Sequence, residues 1–410
     1  MIAKTDLTRT HDGPEAVVLG GQQNGLGVIR SLARAGHRVR VVSADQHDVA
    51  TASRHVRPFR VPTFEGERFV EELLHLRRDM PQGGVLICAD DRPLMTISRY
   101  RDQLSPHFSF LLPSHDLLSD LSRKDRFFQL AQESGSPVPP TINLQRHGDL
   151  GQLSELKPPL CVKPNFRTQA YDSSFRKAYR AESHADARQL CEQILDVTEV
   201  IVQEWIEGSN DSIYFSLCCF GPSGKAAFTG RKGRSWPPQI GFTASCWPAP
   251  DVAEELENLT IQFFRHAGVT QGLASMEFKR DERSGRFLMV EPTVGRGDRQ
   301  VEIAAICGVN LCHMAYCDAA GLPRPPLQYD PAHVWRDEFT DFLAARALGS
   351  RCFYPPGHRI HNAHWRWDDP APALLVAADY AARALRRVTN QRFSRPNLPI
   401  EHQAKRVETP

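Results

Sequence analysis

The sequence predicts an α/β protein, and three observations support that fold class. Residues 16 to 61 alternate an apolar run, an amphipathic helical run and a second apolar run, the pattern of a βαβ unit. Because parallel strands need a crossover connection, this unit predicts a parallel sheet. Later apolar runs again alternate with helical periodicity. The chain has 410 residues, which predicts two or three domains at roughly 150 residues each.

The first 115 residues are predicted to form a small doubly wound α/β domain. AVVLGG (16–21) is a buried strand that ends in glycines, and GLGVIRSLARAG is an amphipathic helix closed by Gly36. HRVRVVSA then returns as a strand. The other elements predicted here are a helix at 69–80, an apolar strand at 83–91 and a short strand at 108–113.

A glycine-containing turn follows the first predicted strand. Its members are Gly20, Gly21, Asn24, Gly25 and Gly27. Their spacing is not GxGxxG, and Asp45, near the end of the next strand, is a weak ribose partner. The favoured interpretation is a tight strand-to-helix turn. An anion-binding turn at a helix N-terminus stays open as the alternative.

Composition restricts the classes of partner. Lys and Arg total 50 against 48 Asp and Glu, so the net charge of +2 creates no global field for nucleic acid or an anionic membrane. Met1 to Pro14 is polar, without the apolar core of a secretory signal. No stretch approaches the roughly 18 apolar residues of a membrane helix. We therefore expect a soluble, cytoplasmic protein with no nucleic-acid partner and no membrane span.

Two regularly spaced sets could suggest metal ligands: Cys307, Cys312 and Cys317, and His358, His361 and His364. Steps of five turn a helix by about 500°, so these cysteines cannot share one helical face. Structural thiols are favoured. The histidines have no carboxylate or cysteine partner spaced as in known zinc motifs. A solvated or stacked histidine cluster is favoured over a metal site.

From residue 116 onward, helices and strands of different lengths alternate. The predicted elements are a charged helix at 117–135, strands at 158–164 and 199–208, a hairpin around Gly221 to Gly224, and two strands within 274–296 joined at Ser284 and Gly285. Residues 326–410 are predicted to hold helices at 335–347 and 371–388 and a frayed tail from Asn390.

Four residues have chemistry that packing does not explain. Glu277 and Glu291 lie on adjacent predicted strands, where two carboxylates repel each other unless a cation lies between them. Mg²⁺ prefers a few carboxylates together with phosphate oxygens. Taken alone, surface acids on a hairpin remain the favoured interpretation. Lys124, which opens a helix, and Lys163, which ends an apolar strand, shift the balance toward a polyphosphate site.

The order of these parts resembles the ATP-grasp superfamily, and within it the carboxylate–amine ligases of the amino-acid ligase type. A small α/β domain is followed by a helical lysine with G-x-P-x-P, a strand lysine in CVKP, a hinge VQEWIEG and paired acids ending in EPTVGR. The resemblance covers about residues 15 to 325. It implies a pre-ATP-grasp Rossmann-like domain (1–115), an ATP-grasp domain (116–325, small lobe about 116–205, large lobe about 206–325) and a helical C-terminal region (326–410).

The resemblance implies nucleotide contacts at single positions. Lys124 and Lys163 match the two lysines that hold the α- and β-phosphates. ATP is the implied cofactor, with Mg²⁺ or Mn²⁺. The hinge around adenine matches Gln203, Glu204 and Ile206, and Asp211 matches the ribose contact.

It also implies metal-binding and catalytic positions. Glu277 and Glu291 match the metal-binding acids, and Arg296 matches the arginine near the transferred phosphoryl group. Arg231 and Lys232 lie where family members often keep a basic residue facing the γ-phosphate or acyl phosphate. A solvated basic turn is the alternative for these two.

Two departures from the family pattern affect these assignments. The usual E-x-N asparagine, a further metal ligand, is replaced by Thr293. The loop after the second lysine is normally glycine-rich, whereas Asn165 to Phe175 contains no glycine. Ser173, Ser174 and Arg167 are the candidates to take over its phosphate contacts.

The resemblance implies a ligase. A carboxylate attacks the γ-phosphate of ATP, and an amine then attacks the acyl phosphate to give an amide or peptide bond. The implied partners are small-molecule carboxylate and amine substrates, amino acids among them, and a homodimer is one open assembly. Arg299, Arg231 and the Asp90/Asp91 strand end are candidates for facing the acid and the amine, with surface or capping roles equally open.

Three alternatives stay open. A nucleotide-binding regulatory protein without turnover is favoured by Thr293 and the glycine-free loop. An ATP-grasp enzyme with a non-amine acceptor is the second, although no biotinyl or carrier domain is evident. A dinucleotide-dependent oxidoreductase rests only on the first glycine turn.

Overall fold

The computed structural model describes residues 13–166, 168–238, 241–350 and 354–393, with the side chains of 169 and 384–393 excepted. Three sheets of four, seven and four strands organise this part of the chain. Most of the predicted tail from Asn390 lies outside the described residues, as does Arg167. No helix among the described residues is long and apolar enough to cross a membrane.

The first sheet is parallel and confirms the predicted βαβ unit. Its strand order is β3-β2-β1-β4. Successive residues of the first strand belong to two different buried clusters, so this strand is covered on both faces, as parallel sheets require. The elements are β1 (Glu15–Leu19), α1 (Gln22–Arg34), β2 (Val39–Ser43), β3 (Val56–Arg60), α2 (Gly66–Arg77), β4 (Gly84–Cys88), α3 (Asp91–Arg99) and α4 (Arg101–Leu104).

The second sheet is antiparallel, with the order β5-β8-β6-β7. It packs around its own small core, which includes Tyr171. Its elements, with the two helices that precede it, are α5 (His115–Ser122), α6 (Lys124–Glu133), β5 (Thr141–Leu144), β6 (Leu160–Pro164), α7 (Gln169–Ser174), β7 (Tyr179–Ala181), α8 (His184–Leu195) and β8 (Val200–Glu204).

The third sheet has the order β13-β12-β9-β10-β11-β14-β15, antiparallel except for its last pair. The predicted hairpins at Gly221 to Gly224 and at Ser284 to Gly285 are both present. Its elements are β9 (Ile213–Gly221), β10 (Gly224–Trp236), β11 (Phe242–Pro248), α9 (Ala253–His266), β12 (Gly272–Arg280), β13 (Phe287–Val294), α10 (Val301–Ile306), α11 (Leu311–Ala319), β14 (His333–Arg336), α12 (Glu338–Ala347), β15 (Arg359–Asn362) and α13 (Ala371–Phe393).

The C-terminal region is not purely helical, so that prediction is wrong in part. Helices α12 and α13 are present, but β14 and β15 extend the third sheet. Val334 and Trp335 of β14 are fully buried, and the indole of Trp335 donates to Glu302 at 2.9 Å. Strands of four residues show too little alternation to be separated from loop by pattern alone.

Two smaller predictions are also wrong. Residues 108–113 form no strand: Ser109 makes a single bridge to Val85, and Pro113 has no N–H to extend it. The predicted helix at 117–135 is two helices, because Arg123 between them is extended. The backbone N–H of Lys124 donates to Asn165 instead of to the preceding turn, at 3.4 Å.

Candidate active site

An open cleft of about 850 Å³ lies between the second and third sheets. Seven of the residues predicted to form the site line it: Lys124, Lys163, Gln203, Glu204, Ile206, Glu277 and Glu291. The lining also includes Pro139, Cys161, Lys177, Ala178, Trp205, Ile213, Gly241, Lys279 and Val290. Residues from more than 160 positions apart therefore meet in one place, as the resemblance implies.

Lys163 enters the cleft from the middle of the second sheet. It pairs with Ile201 across β6 and β8, and it is 8% exposed. Its ammonium lies 5.4 Å from the ring centre of Phe128, a cation–π distance. Burial lowers the pKa of Lys163, although the neighbouring carboxylates Glu291 and Glu277 oppose that shift. A buried cation at a cleft wall is costly to maintain unless an anion binds there.

Lys124 is the first residue of α6 and reaches the same cleft. The side chain of Asn165, just after β6, caps the start of this helix, because Arg123 at the N-cap position makes no capping hydrogen bond. The Asn165 side-chain oxygen accepts from the N–H of Asp125 at 3.0 Å, and its backbone oxygen accepts from Lys124 Nζ at 3.5 Å. The Asn165 amide in turn donates to Glu199 at 2.6 Å. The end of β6 therefore fixes both lysines relative to each other.

The hinge segment begins at the end of β8, an inner strand of the second sheet. Trp205 N–H donates to the carbonyl of Pro159 at 2.8 Å, and Glu204 N–H donates to that of Pro140 at 3.0 Å. The Glu204 carboxylate accepts from Lys157 N–H at 2.9 Å. The Gln203 side chain donates to Thr141 at 2.9 Å. These contacts hold the strand end rigidly beside the cleft.

Glu277 and Glu291 are direct cross-strand partners on β12 and β13. Side chains opposite each other in an antiparallel pair share a face, with Cβ atoms roughly 5 Å apart, and like charges so placed repel. Each acid has a lysine beside it: Glu277 accepts from Lys232, and Glu291 lies 3.8 Å from Lys177. The two lysines therefore offset the repulsion between the carboxylates.

The cations also control the ionisation of Glu291. Burial alone would raise its pKa, but Lys177, Lys124, Lys163 and Arg296 together lower the pKa to about 2. Glu291 is thus a carboxylate throughout the physiological pH range. An ionised oxygen donor of this kind suits a hard divalent cation.

Three residues of the site were missed by the sequence reasoning. Lys177 lies before β7, which pairs with the Lys163 strand, and its ammonium is 5.1 Å from the ring centre of Phe242. Lys279 lies two residues after Glu277, 4.9 Å from the ring centre of Trp205. Lys177 could have been found as a cation just beyond the glycine-free loop. Trp205 and Lys279 gave no signal beyond their positions in the hinge and the acid strand.

Five predicted residues do not line the cleft, and two of them pair with each other. Arg231, a predicted catalytic residue, donates to the carboxylate of Asp211 at 3.1 Å and to its carbonyl at 2.9 Å. Asp211 is the predicted ribose contact, so the two candidates bind each other. Lys232 is 3% exposed and bound to Glu277. Adjacent strand residues point to opposite faces, which separates Arg231 from Lys232.

Arg296 and Thr293 lie past the acid pair. Arg296 is bidentate to Asp91, at 2.5 and 3.2 Å, and so joins the first sheet's strand-end loop to the third sheet. Burial opposes the charge, but Asp91 raises the pKa of Arg296. Thr293 pairs with Ser275, whose hydroxyl donates to Asp298 at 2.7 Å. The Asp298 carboxylate is thereby linked to the strand residue opposite Thr293.

The glycine-free loop contains the short helix α7. Thr168 caps its start, and Tyr171 is fully buried with its ring stacked on Phe175. The Tyr171 hydroxyl donates to the carbonyl of Arg176 at 2.7 Å. Ser173 donates back into the helix at 2.8 Å. Ordered backbone thus replaces the flexible glycines expected there.

The first glycine turn is explained by packing. A Cβ on Gly21 would lie 1.6 Å from the Asp48 carboxylate, and one on Gly25 would lie 2.5 Å from the carbonyl of Gly20. The Asp48 carboxylate accepts from Gln22 N–H at 2.6 Å. The chain's own acid therefore occupies the start of α1, which supports the favoured tight-turn interpretation.

Comparisons with known proteins agree with this geometry. No family model matches the chain. It is similar to a D-aspartate ligase of Enterococcus faecium (strain Aus0004), with 24% identity over 313 residues, 72% of this chain and 74% of the relative.

Solved structures resemble the chain over about three quarters of its length. An ADP complex of PurK, an N5-carboxyaminoimidazole ribonucleotide synthetase, has a TM-score of 0.61 at 13% identity, covering 77% of this chain and 79% of that one. L-amino acid ligase from Bacillus licheniformis has a TM-score of 0.58 at 17% identity, covering 78% of each. The biotin carboxylase domain dimer of Hydrogenobacter thermophilus 2-oxoglutarate carboxylase has a TM-score of 0.60 at 14% identity, covering 79% and 74%.

The chain has the ATP-grasp fold, which confirms the predicted fold class. The proteins that it resembles include a D-aspartate ligase and an L-amino acid ligase.

Proposed function

We propose that this protein is an ATP-dependent ligase that activates a substrate carboxylate as an acyl phosphate and joins it to an amine, releasing ADP and phosphate. The observation that carries the proposal is the cleft itself, in which Lys124, Lys163 and Lys177 line the same space as Glu277 and Glu291. Lysines bind polyphosphate, and a carboxylate pair binds the metal that accompanies it.

We infer one orientation for ATP in the cleft. The adenine would bind at the hinge, Glu204 to Ile206, beside Trp205 and Cys161. Lys163 lies three residues along β6 from Leu160, the strand partner of Glu204, and with Lys124 it would bind the α- and β-phosphates. The γ-phosphate would then lie beside Glu277 and Glu291.

The carboxylate pair fits Mg²⁺. Glu277 and Glu291 are opposed on adjacent strands, and Glu291 is ionised over the whole physiological range. When bound, the metal neutralises charge on the β- and γ-phosphates. Thr293, whose hydroxyl oxygen can bind Mg²⁺, stays our candidate for a third ligand, and Asp298, linked to Ser275, is a further candidate.

The chain's own residues supply positioning and charge. The substrate carboxylate oxygen attacks the γ-phosphorus, the bond to the β-bridging oxygen breaks, and ADP leaves. The amine then attacks the acyl carbon, phosphate leaves, and a proton departs from nitrogen. Arg296 and Lys232, both close to the acids, are placed to stabilise the transferred charge. Arg231 is proposed to act through the Asp211 hinge contact.

The relatives support amino acids as substrates. A D-aspartate ligase and an L-amino acid ligase both resemble the chain over more than 70% of its length. We propose that at least one substrate is an amino acid.

A homodimer is our proposed assembly, since one similar structure is described as a dimer. The division at 115 and 325 and the cytoplasmic location stay predictions.

A nucleotide-binding protein without turnover is the second candidate. Two observations favour it. Thr293 replaces a metal ligand, and the segment after Lys163, where a glycine-rich phosphate loop is expected, contains the helix α7. Retention of both acids and all three lysines in one cleft favours the ligase.

The test is product formation by the purified full chain. With ATP, Mg²⁺ and pairs of amino acids, we expect ADP, phosphate and a new amide in equal amounts, measured by coupled assay and mass spectrometry. Glu291→Gln should bind ADP and form no amide. ATP binding by wild type with no ADP release for any acid and amine pair would favour the silent protein instead. ADP release without an amide would point to a non-amine acceptor.

A further inference from the structure

The N-terminus of α12 brings together two acids and a histidine from distant parts of the C-terminal region. Asp337 caps the helix by accepting from Thr340 N–H at 3.2 Å, and Glu338 is the first helical residue. His364 follows β15, which pairs with β14 next to the cap. Asp337, Glu338 and His364 each direct one ligand atom into a space where all three atoms lie within 4.8 Å of one another.

Helix capping explains the two acids, but it does not explain the histidine. Carboxylates are favourable at a helix N-terminus with no metal present. His364, however, is only 5% exposed, and its Nδ1 has no hydrogen-bond partner within 3.5 Å among the described residues. Buried polar atoms are normally satisfied, so this nitrogen requires an explanation.

The distances provide one. Nδ1 of His364 lies 3.7 Å from an oxygen of Asp337 and 3.6 Å from an oxygen of Glu338. Both separations exceed hydrogen-bond length. Two donors bound to one Zn²⁺ at about 2.1 Å, in tetrahedral geometry, lie about 3.4 Å apart. Both separations of Nδ1 from the carboxylate oxygens are therefore close to the spacing of two ligands on one ion.

We propose that Asp337, Glu338 and His364 form a binding site for a transition-metal dication, with Zn²⁺ as the favoured occupant. One imidazole and two carboxylates are a mixed N and O donor set, which suits a borderline cation better than Mg²⁺ or Ca²⁺. Glu338 is partly exposed, which leaves a path for a water molecule as the fourth ligand.

The proposed site connects to the cleft through one arginine. The other oxygen of Asp337 accepts from Arg299 at 2.6 Å, and Arg299 Nε donates to the carbonyl of Thr243 at 2.9 Å. The Arg299 guanidinium lies 5.9 Å from the ring centre of Phe242, the ring that also faces Lys177. A metal held by Asp337 would orient Arg299 at the rim of the active site, a structural role separate from the ATP metal.

The test uses Co²⁺ and Zn²⁺ with full chain that has been stripped with EDTA and dialysed. We expect one equivalent of Co²⁺ to produce visible d–d absorption bands, and Zn²⁺ to displace it. His364→Gln and Glu338→Gln should each weaken binding by at least about tenfold. Glu291→Gln removes an acid of the ATP site and should leave the Co²⁺ bands unchanged.

Thermal unfolding provides a second readout that does not depend on activity. Zn²⁺ should raise the unfolding midpoint of wild type and of Glu291→Gln, and leave the midpoints of the two site variants unchanged. If one variant fails to fold, the other still decides. Co²⁺ bands that persist in both His364→Gln and Glu338→Gln, or stripped wild type that binds neither metal, would overturn the proposal.

Discussion

The two walls of the cleft differ in charge and in construction. The wall from the second sheet and its adjoining segments carries Lys124, Lys163 and Lys177, and two of these are fixed through the end of one strand. The wall from the third sheet carries Glu277 and Glu291, opposed on two strands. The lysine wall is built to bind phosphate without help. The acid wall needs a cation before it can approach phosphate, so the two walls should respond differently to metal removal.

The largest effect should come from the acid wall. Changing both Glu277 and Glu291 to Gln should lower turnover by about a thousandfold or more, because charge neutralisation at the phosphates is lost. ADP affinity measured in EDTA should be retained, since the acids hold no phosphate directly. Glu133→Gln, an exposed acid on α6, is the matched control. Loss of ADP binding in EDTA would contradict this division between the walls.

Removing a charge from the lysine wall should have a smaller effect, and it should change ADP affinity. Lys163→Met should weaken ADP binding by about 10 to 100-fold, with or without Mg²⁺, because one charge-assisted contact is lost. Isothermal titration in EDTA measures this directly. Lys163→Arg keeps the charge and should recover part of the affinity. A loss that appears only with Mg²⁺ would place Lys163 on the metal side instead.

The alkaline pH dependence of nucleotide binding should report the ionisation of Lys163. Burial lowers the pKa of Lys163 below its ordinary value of 10.5, so the ammonium loses its proton earlier as the pH rises. ADP affinity should therefore fall on the alkaline side at a lower pH than for an ordinary lysine. Binding measured from about pH 7 to 10 tests this. In Lys163→Arg the decline should move to higher pH, because a guanidinium stays charged.

The smallest effect should come from Lys177, the residue of the lysine wall that lies 3.8 Å from Glu291. Its side chain is 36% exposed, so Lys177→Gln should weaken ADP binding only about threefold. Removing this cation should also raise the pKa of Glu291 from about 2, so the acid side of the turnover profile should move to higher pH. Lys225→Gln, an exposed lysine on β10 that does not line the cleft, is the control. An unchanged acid limb would mean that other cations suffice to hold Glu291 ionised.

Much of the site could be predicted from sequence because its residues lie on strongly patterned strands. Lys163 closes an apolar run, and Glu277 and Glu291 lie on a hairpin with a clear turn. These positions depend on local pattern, which one sequence contains. The resemblance to a family then supplied the order that joined them.

The remainder depends on contacts that local pattern does not encode. Lys177 reaches the site because β7 is paired with β6, and Arg296 is fixed by Asp91 from another sheet. His358, His361 and His364 were interpreted as one cluster by their spacing. The structure separates them: His361 lies 2.8 Å from His333, and His364 lies beside acids 26 and 27 positions earlier. Spacing along the chain therefore gave the wrong grouping, because the contacts of these histidines lie far away in the sequence.

The buried ring of Tyr171 changes the thermodynamics of nucleotide entry. A glycine-rich loop gives up backbone entropy when it closes on phosphates, about 1–2 kcal/mol for each residue that becomes fixed. Here α7 is already helical, and Tyr171 anchors it in the core of the second sheet. That conformational entropy was lost when the chain folded. Nucleotide binding should consequently have a small entropic penalty, and the segment should resist proteases equally well before and after ATP binds.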